Sequence, residues 1–245
     1  GEVQMWVGTA TDIHELKNLQ QQKADFISIA SPELKTPITS LKASLQLLDR
    51  IKDTPSALTV PKLVTQANKS LDRLNVLVED LLNVSRLNQG QIHLHKTKFN
   101  LMDLVNDTCQ YIRIENVYQV VVTGEEALQA FADAKRVEQV LVNFLNNAIK
   151  YAPASKQIKI NVEKTDGMAK VSVTDHGPGI ASDKVPHLFD RYFRVDSAGM
   201  QFSGLGLGLY ISAEIIKKHD GQIGVDSEEG KGSTFWFTIP LKGRG

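Results

Sequence analysis

Apolar positions fall three or four residues apart over two long stretches. Ile27, Ala30, Leu34, Ile38, Leu41, Leu45 and Leu48 form one series, and Leu63, Ala67, Leu71, Leu74, Val78, Leu81 and Leu87 form another. That spacing places each series on one face of a helix. Asp12 with Glu15 three residues later makes a capping box at the start of the first helix. The intervening KDTPSALTVP carries two prolines, small polar residues and no period, so the first helix is expected to end near Asp53. Residues 12–89 thus read as an antiparallel helical hairpin. One hairpin buries too little of such broad stripes, and pairing with a second copy as a dimeric four-helix bundle is the expected remedy. Packing of a single hairpin on the rest of its own chain is the alternative.

Beyond Gln89-Gly90 the period changes, and residues 90–245 read as a two-layer α/β sandwich. IHLHKTKF alternates as a strand, and Asn100 with Asp103 caps the next helix. Strands are expected near 118–123, 128–132, 157–164, 169–175, 221–226 and 233–239, with helices near 134–150 and from about 205. Residues 1–11 also alternate, with Val3, Met5 and Val7 on one face and Trp6 on the other. A lone strand does not stand unsupported, so they are expected to end an upstream domain of a longer protein.

Pro32 interrupts the first apolar series. Either Ser31 caps a new helix with Pro32 at its first position, where no N–H donor is needed, or the helix continues with a kink. The second costs roughly 3 kcal/mol in a helix interior, because the ring removes the bond to the Ser28 carbonyl. The apolar face stays in register across Pro32, which favours continuation.

Composition narrows the function classes. The chain has 245 residues, 42% hydrophobic and 23% charged, which suits two modest globular domains. Lys plus Arg (28) balances Asp plus Glu (28), so no global field favours nucleic acid or an anionic membrane. The single Cys109 cannot form an internal disulfide, and no apolar run approaches the roughly 18 residues of a membrane helix. A cytosolic setting is expected. His93 and His95 lie two apart on one strand face, but no third ligand is evident, and they are expected to be surface residues.

Four motifs in the second half carry candidate chemistry. In QVLVNFLNNAIKYA, Asn143, Asn147 and Lys150 fall near one face of a helix. Amide oxygens suit Mg²⁺ and a lysine suits phosphate, although a helix with a polar rim reads the same way. In DHGPGI, Asp175 closes a strand while Gly177 and Gly179 allow a tight turn; the carboxylate can accept from an adenine amino group, or the segment is simply a turn. In LFDRYFR, Phe189 and Phe193 can anchor a segment whose Arg191 and Arg194 reach phosphates, against the alternative of a salt-bridged surface helix. GLGLGL puts Gly204, Gly206 and Gly208 before a helix whose N–H groups can face polyphosphate.

SPELKTP resembles the H-box of sensor histidine kinases, which runs S-H-E-L-K/R-T-P, with Pro32 where that family has its phosphate-accepting His. The four later motifs resemble, in order and spacing, the N, G1, F and G2 boxes of the family's Bergerat-type ATP domain. The similarity spans about residues 20–241, and residues 1–11 with DIHE resemble the end of a PAS sensor domain. The resemblance implies a homodimeric kinase core that uses ATP and Mg²⁺ and works with a response regulator receiver domain. Carried over, it implies that Asn147 binds Mg²⁺ with Asn143 nearby, Lys150 touches phosphate, Tyr151 packs by the adenine and Asp175 reads its amino group. Residues 180–203 would form a lid over the phosphates, closing on Gly204, Gly206 and Gly208. Glu33 would be the general base and Thr36 would position water for dephosphorylation. A proline ring has no free nitrogen to accept a phosphoryl group, so the resemblance also implies that autophosphorylation at position 32 is lost. A non-catalytic ATP-binding scaffold is the competing reading. A third is another ATPase of the same superfamily, such as a protein serine kinase or chaperone, against which the SPELKTP hairpin speaks.

Overall fold

The computed structural model describes residues 14–53, 56–89, 93–114, 118–153, 155–195 and 204–243. The expected strand at 1–11, the cap at Asp12 and residues 196–203 of the expected lid lie outside them. Two compact units divide the chain, with the boundary between Asn75 and Val76.

In the first unit, helix α1 runs His14–Arg50 without a break, enclosing both Pro32 and Pro37. Continuation through Pro32 therefore holds, and a new helix capped by Ser31 does not form. Helix α2, Thr59–Asn88, begins in this unit. Gln66 Nε2 and Ser70 Oγ both donate to Ser40 Oγ at 3.1 Å, and Arg73 Nη2 donates to Glu33 at 3.2 Å. Partners descend along α1 as they ascend along α2, so the two are antiparallel. Small residues line this contact, with Ala30, Ser44, Ala67 and Ser70 all buried. Much of the apolar stripe stays open: Ile27, Ile38, Leu45 and Leu71 are exposed, and Ile38, Leu41 and Leu45 line an open groove of about 390 Å³.

The second unit is a sheet backed by helices. Strand β1 (Thr97–Asn100) leads into helix α3 (Leu101–Ile114), whose first turn is capped by Asn100 Oδ1 accepting from Met102 N at 2.9 Å. Strands β2 (Gln119–Gly124) and β3 (Gln129–Ala132) precede helix α4 (Ala134–Tyr151). Strands β4 (Gln157–Thr165) and β5 (Met168–Asp175), helix α5 (Gly208–Lys218), and strands β6 (Ile223–Glu228) and β7 (Gly232–Pro240) complete it. The main sheet has order β2-β4-β5-β7-β6, parallel only between β2 and β4, and β1 pairs separately with β3. The expected strand in IHLHKTKF is thus confined to its end. Residues 93–96 are not a strand, so His93 and His95 share no strand face; alternation marks faces, and only residues from Thr97 onward find the β3 backbone as partner.

One face of the sheet forms the core. Ile158, Ile160, Val162, Val171, Val173, Phe235 and Phe237 pack against α4, whose Val137, Val140, Leu141, Phe144, Leu145 and Ala148 are buried. Phe144 meets the rings of Phe235 and Phe237 at 5.4 and 6.0 Å. At roughly 1.5–3 kcal/mol for each large side chain enclosed, this face fixes α4. Its start is fixed by polar groups. Asp133 caps α4 by accepting from Arg136 N, also accepts from His95 N at 2.9 Å, and donates its own N–H to His219 Nε2 at 2.9 Å. His219 is wholly enclosed, and its Nδ1 lies 2.8 Å from the Ile215 carbonyl. Nδ1 therefore carries the proton and Nε2 accepts, which requires a neutral ring.

Burial pushes the His219 pKa below its ordinary value. The unfolded chain then binds the extra proton first, so the stability from this clasp is full above the unfolded His pKa of about 6.5 and drains as pH falls below it. Asp80, pushed up to about 6 by burial and by Glu79, works in the opposite sense: its contribution is full below about 4 and lost as pH rises through 6. The difference between parent and variant isolates His219. His219→Gln should cost about 1–3 kcal/mol at pH 7.5, and thermal melts at pH 7.5 and 5.5 should show that gap narrowing at the lower pH.

Candidate functional site

Helix α4 shows a polar flank beside its buried face, with Asn143, Asn147 and Lys150 at i, i+4 and i+7. The glycine run lies along that flank. A Cβ on Gly208 would press on Asn143 Oδ1, and one on Gly204 would stand 3.9 Å from Lys150 Nζ. The leucines between them point the other way, Leu205 and Leu207 being 1% exposed. The alternation in GLGLGL therefore has a physical meaning: leucines anchor the segment in the core while glycines leave bare backbone beside α4. Gly206 takes φ +67°, and a Cβ there would run into the backbone of Tyr192 and Phe193. Tyr192 N donates to the Gly206 carbonyl at 3.1 Å, fastening the LFDRYFR segment to the run.

Asp175 ends β5 almost buried, and its Oδ1 accepts from Gly177 N at 2.8 Å. Burial raises its pKa, while the N–H groups of Gly177 and Ser233 act in the opposite direction. Gly177 also joins strand to helix: a Cβ there would sit 3.0 Å from the Ala152 side chain and 3.1 Å from the Tyr151 carbonyl. Gly179, at φ +70°, lies against the Glu228 backbone, where Ile180 N donates to Ser227 Oγ at 2.9 Å. The DHGPGI turn is thus fastened on both sides, with its carboxylate held at the end of α4.

The arginines close the other side. Arg191 Nη2 donates to the Tyr210 hydroxyl at 3.0 Å with its guanidinium 4.8 Å from that ring, and Arg194 Nη1 donates to the Gly204 carbonyl at 3.0 Å. Lys150 Nζ lies 4.8 Å from the Tyr151 ring. Burial raises the Tyr151 pKa, and Arg194 pulls it down. Lys150, Arg194, the N-terminus of α5 and side-chain-free backbone converge on one border of α4, with Arg191 held on Tyr210 of α5, an arrangement suited to polyphosphate. A buried acceptor waits at the other end.

Of the residues singled out from the sequence, Asn143, Lys150, Arg194, Gly204 and Gly208 meet along this border, with Asn147 on the same flank of α4; Tyr151, Asp175 and Gly177 meet at its end, Gly206 lies against Tyr192 and Phe193, Arg191 is held at Tyr210, and Gly179 packs on Glu228. Pro32, Glu33 and Thr36 lie in the first unit. Pro32 is exposed on α1, Thr36 Oγ1 donates to its carbonyl at 3.1 Å, and Glu33 is held by Arg73. In LFDRYFR the enclosed anchor is Leu188, at 6% exposure, while Phe189 is only half-buried. Tyr210 and Ser212 went unnoticed in the sequence. Ser212 is buried on α5, accepts from Asn143 Nδ2 at 3.0 Å and donates to the Gly208 carbonyl at 2.9 Å.

Two family models match the chain. Residues 22–90 match the His Kinase A (phospho-acceptor) domain, and residues 132–243 match the histidine kinase-, DNA gyrase B-, and HSP90-like ATPase. The chain is 30% identical to the sensor histidine kinase WalK of Bacillus subtilis, over 99% of its own length and 40% of that protein. It is 31% identical to the adaptive-response sensory kinase SasA of Synechocystis, over 94% of its length and 62% of that protein. It therefore spans less than two thirds of these curated relatives. Among solved structures, the Acinetobacter baumannii histidine kinase AdeS is similar at TM-score 0.64 and 27% identity, covering 86% of this chain and 98% of that one. ShkA in complex with AMPPNP is similar at TM-score 0.65 and 26% identity, covering 87% of this chain and 45% of that one. ThkA in complex with the response regulator TrrA, at TM-score 0.66 and 24% identity, covers 96% of this chain and 68% of that one, and shares the fold.

Gly206→Ala tests the close approach of the glycine run to the LFDRYFR segment. A left-handed alanine alone costs about 1–2 kcal/mol, and here its methyl also meets backbone that cannot swing aside. Chemical denaturation should show a loss of at least that size.

Proposed function

We propose, from the premise that this chain belongs to the sensor histidine kinase family, that it binds ATP in its second unit but cannot phosphorylate itself at position 32. The observation that carries the reading is a pairing of opposites. The glycine run, Lys150 and Arg194 lie together beside α4, with Arg191 held at Tyr210, while the exposed α1 position that should present a nucleophile holds Pro32.

In this reading Asp175 accepts from the adenine amino group, Tyr151 packs beside the base, and Lys150 with Arg191 and Arg194 neutralises phosphate charge. Phosphoryl transfer depends mostly on such positioning and charge neutralisation. Mg²⁺ fits the donor set: Asn143 Nδ2 is committed to Ser212, which leaves its Oδ1 as an acceptor, and Asn147 adds a second amide. Mg²⁺ takes few protein ligands and keeps several waters, so Asn147 assisted by Asn143 would hold it and it would supply charge neutralisation at the phosphates. Glu33 would serve as general base toward a nucleophile at position 32. Here its carboxylate pairs with Arg73 instead.

The open apolar stripe of α1 supports a homodimer built as a four-helix bundle, and a response regulator receiver domain is the proposed partner of the hairpin. Residues 12–89 would be the signalling helix and dimerisation unit, residues 90–245 the catalytic unit, and residues 1–11 the end of a PAS-like sensor domain. Among the described residues no helix is long and apolar enough to cross a membrane; the proposed setting is the cytoplasm.

Pro32→His tests the reading most directly. Incubated with γ-labelled ATP, the variant should gain an acid-labile, alkali-stable label, as a phosphoramidate is, while the parent stays unlabelled. A variant that binds ATP and dimerises yet stays unlabelled would favour the ATP-binding scaffold. Asn147→Asp should weaken calorimetric nucleotide affinity when Mg²⁺ is present, and unchanged affinity would count against the metal assignment.

A further inference from the structure

We infer that Ser212 is a positioning residue for the cation that accompanies the nucleotide, acting by fixing which end of the Asn143 amide faces the glycine run. The inference rests on the ATP-binding reading above and assigns within it a residue that no sequence motif picks out.

An asparagine amide is nearly symmetric in shape but opposite in chemistry at its two ends, one accepting and the other donating. At Asn143 the two ends have different surroundings. Nδ2 donates to Ser212 Oγ at 3.0 Å, and Oδ1 lies against Gly208. Ser212 cannot take the reverse arrangement without loss, because its own proton is already given to the Gly208 carbonyl at 2.9 Å. Its oxygen therefore offers only an acceptor, and an acceptor selects the NH₂ end. One hydroxyl thereby settles two things: it holds the first turn of α5 beside Gly208, and it keeps an oxygen directed at the border where the phosphates lie. Ser212 is 2% exposed, so water does not compete for the role.

Loss of the hydroxyl removes the preference. The amide then turns its NH₂ toward the glycine run in a fraction of molecules, and an N–H donor repels a cation where an oxygen would bind it. Packing is a separate matter, and a matched pair of variants separates the two. Thr and Val have the same shape, so both strain the buried site alike, but only Thr keeps the hydroxyl.

The experiment is calorimetric titration of the full chain with AMPPNP, once with Mg²⁺ and once with EDTA, for the parent, Ser212→Ala, Ser212→Val and Ser212→Thr. The gain in affinity on adding Mg²⁺ should shrink by about five- to tenfold in the Ala and Val variants, the size expected for one lost hydrogen bond. It should stay near the parent's in the Thr variant, and affinity in EDTA should change little in Ala. An undiminished Mg²⁺ gain in Ala and Val overturns the inference, as does an equal loss in Val and Thr with the gain in Ala intact. A parent that binds AMPPNP with no Mg²⁺ gain overturns the positioning role while leaving nucleotide binding standing. A parent that binds no AMPPNP overturns the ATP-binding reading itself.

Discussion

The second unit depends on α4 being buried along one side only. Phe144 and its apolar neighbours lock the helix to β7 and the rest of the sheet, and the Asp133–His219 clasp fixes where it begins. With both constraints in place, the polar flank of α4 is a rigid edge against which other segments take their positions. The glycine run follows it, the DHGPGI turn abuts its end, and Arg194 reaches the glycine run from the LFDRYFR segment. Apart from Asp175, which ends β5, and Gly208, which opens α5, these segments are irregular.

This arrangement explains which features could be read from the chain. Amphipathic spacing gave α1, α2 and α4 within a few residues, because burial on one side of a helix leaves a period of 3.6 whatever lies opposite. The glycines were legible because backbone that passes close to its neighbours, as Gly206 does at Tyr192 and Gly208 at Asn143, requires them. Ser212 was not, since a lone serine in a helix carries no signal and its partner Asn143 is 69 residues away. His219 escaped for a similar reason: in HDG it reads as part of a turn, and only the fold brings the Asp133 N–H to it. The strand expected in IHLHKTKF was confined to its end, from Thr97 onward, on the same ground, because alternation says nothing about where a partner backbone stops.

The first unit shows a different economy. Its contact between helices is made of Ala30, Ser40, Ser44, Ala67 and Ser70, small residues that bring the backbones close but enclose little apolar surface. The large side chains Ile27, Ile38, Leu45 and Leu71 remain outside. A stripe of that kind has the breadth of a bundle and the burial of a hairpin, which is the physical ground for the proposed second copy.

Pro37, buried within α1 five residues beyond exposed Pro32, is a second proline inside the same helix. Each ring deletes one rung of the backbone ladder, at the carbonyls of Ser28 and Glu33 respectively. Replacing Pro32 would mend only the first. The helix would still lack the rung at Glu33, so its bending stiffness would recover only in part.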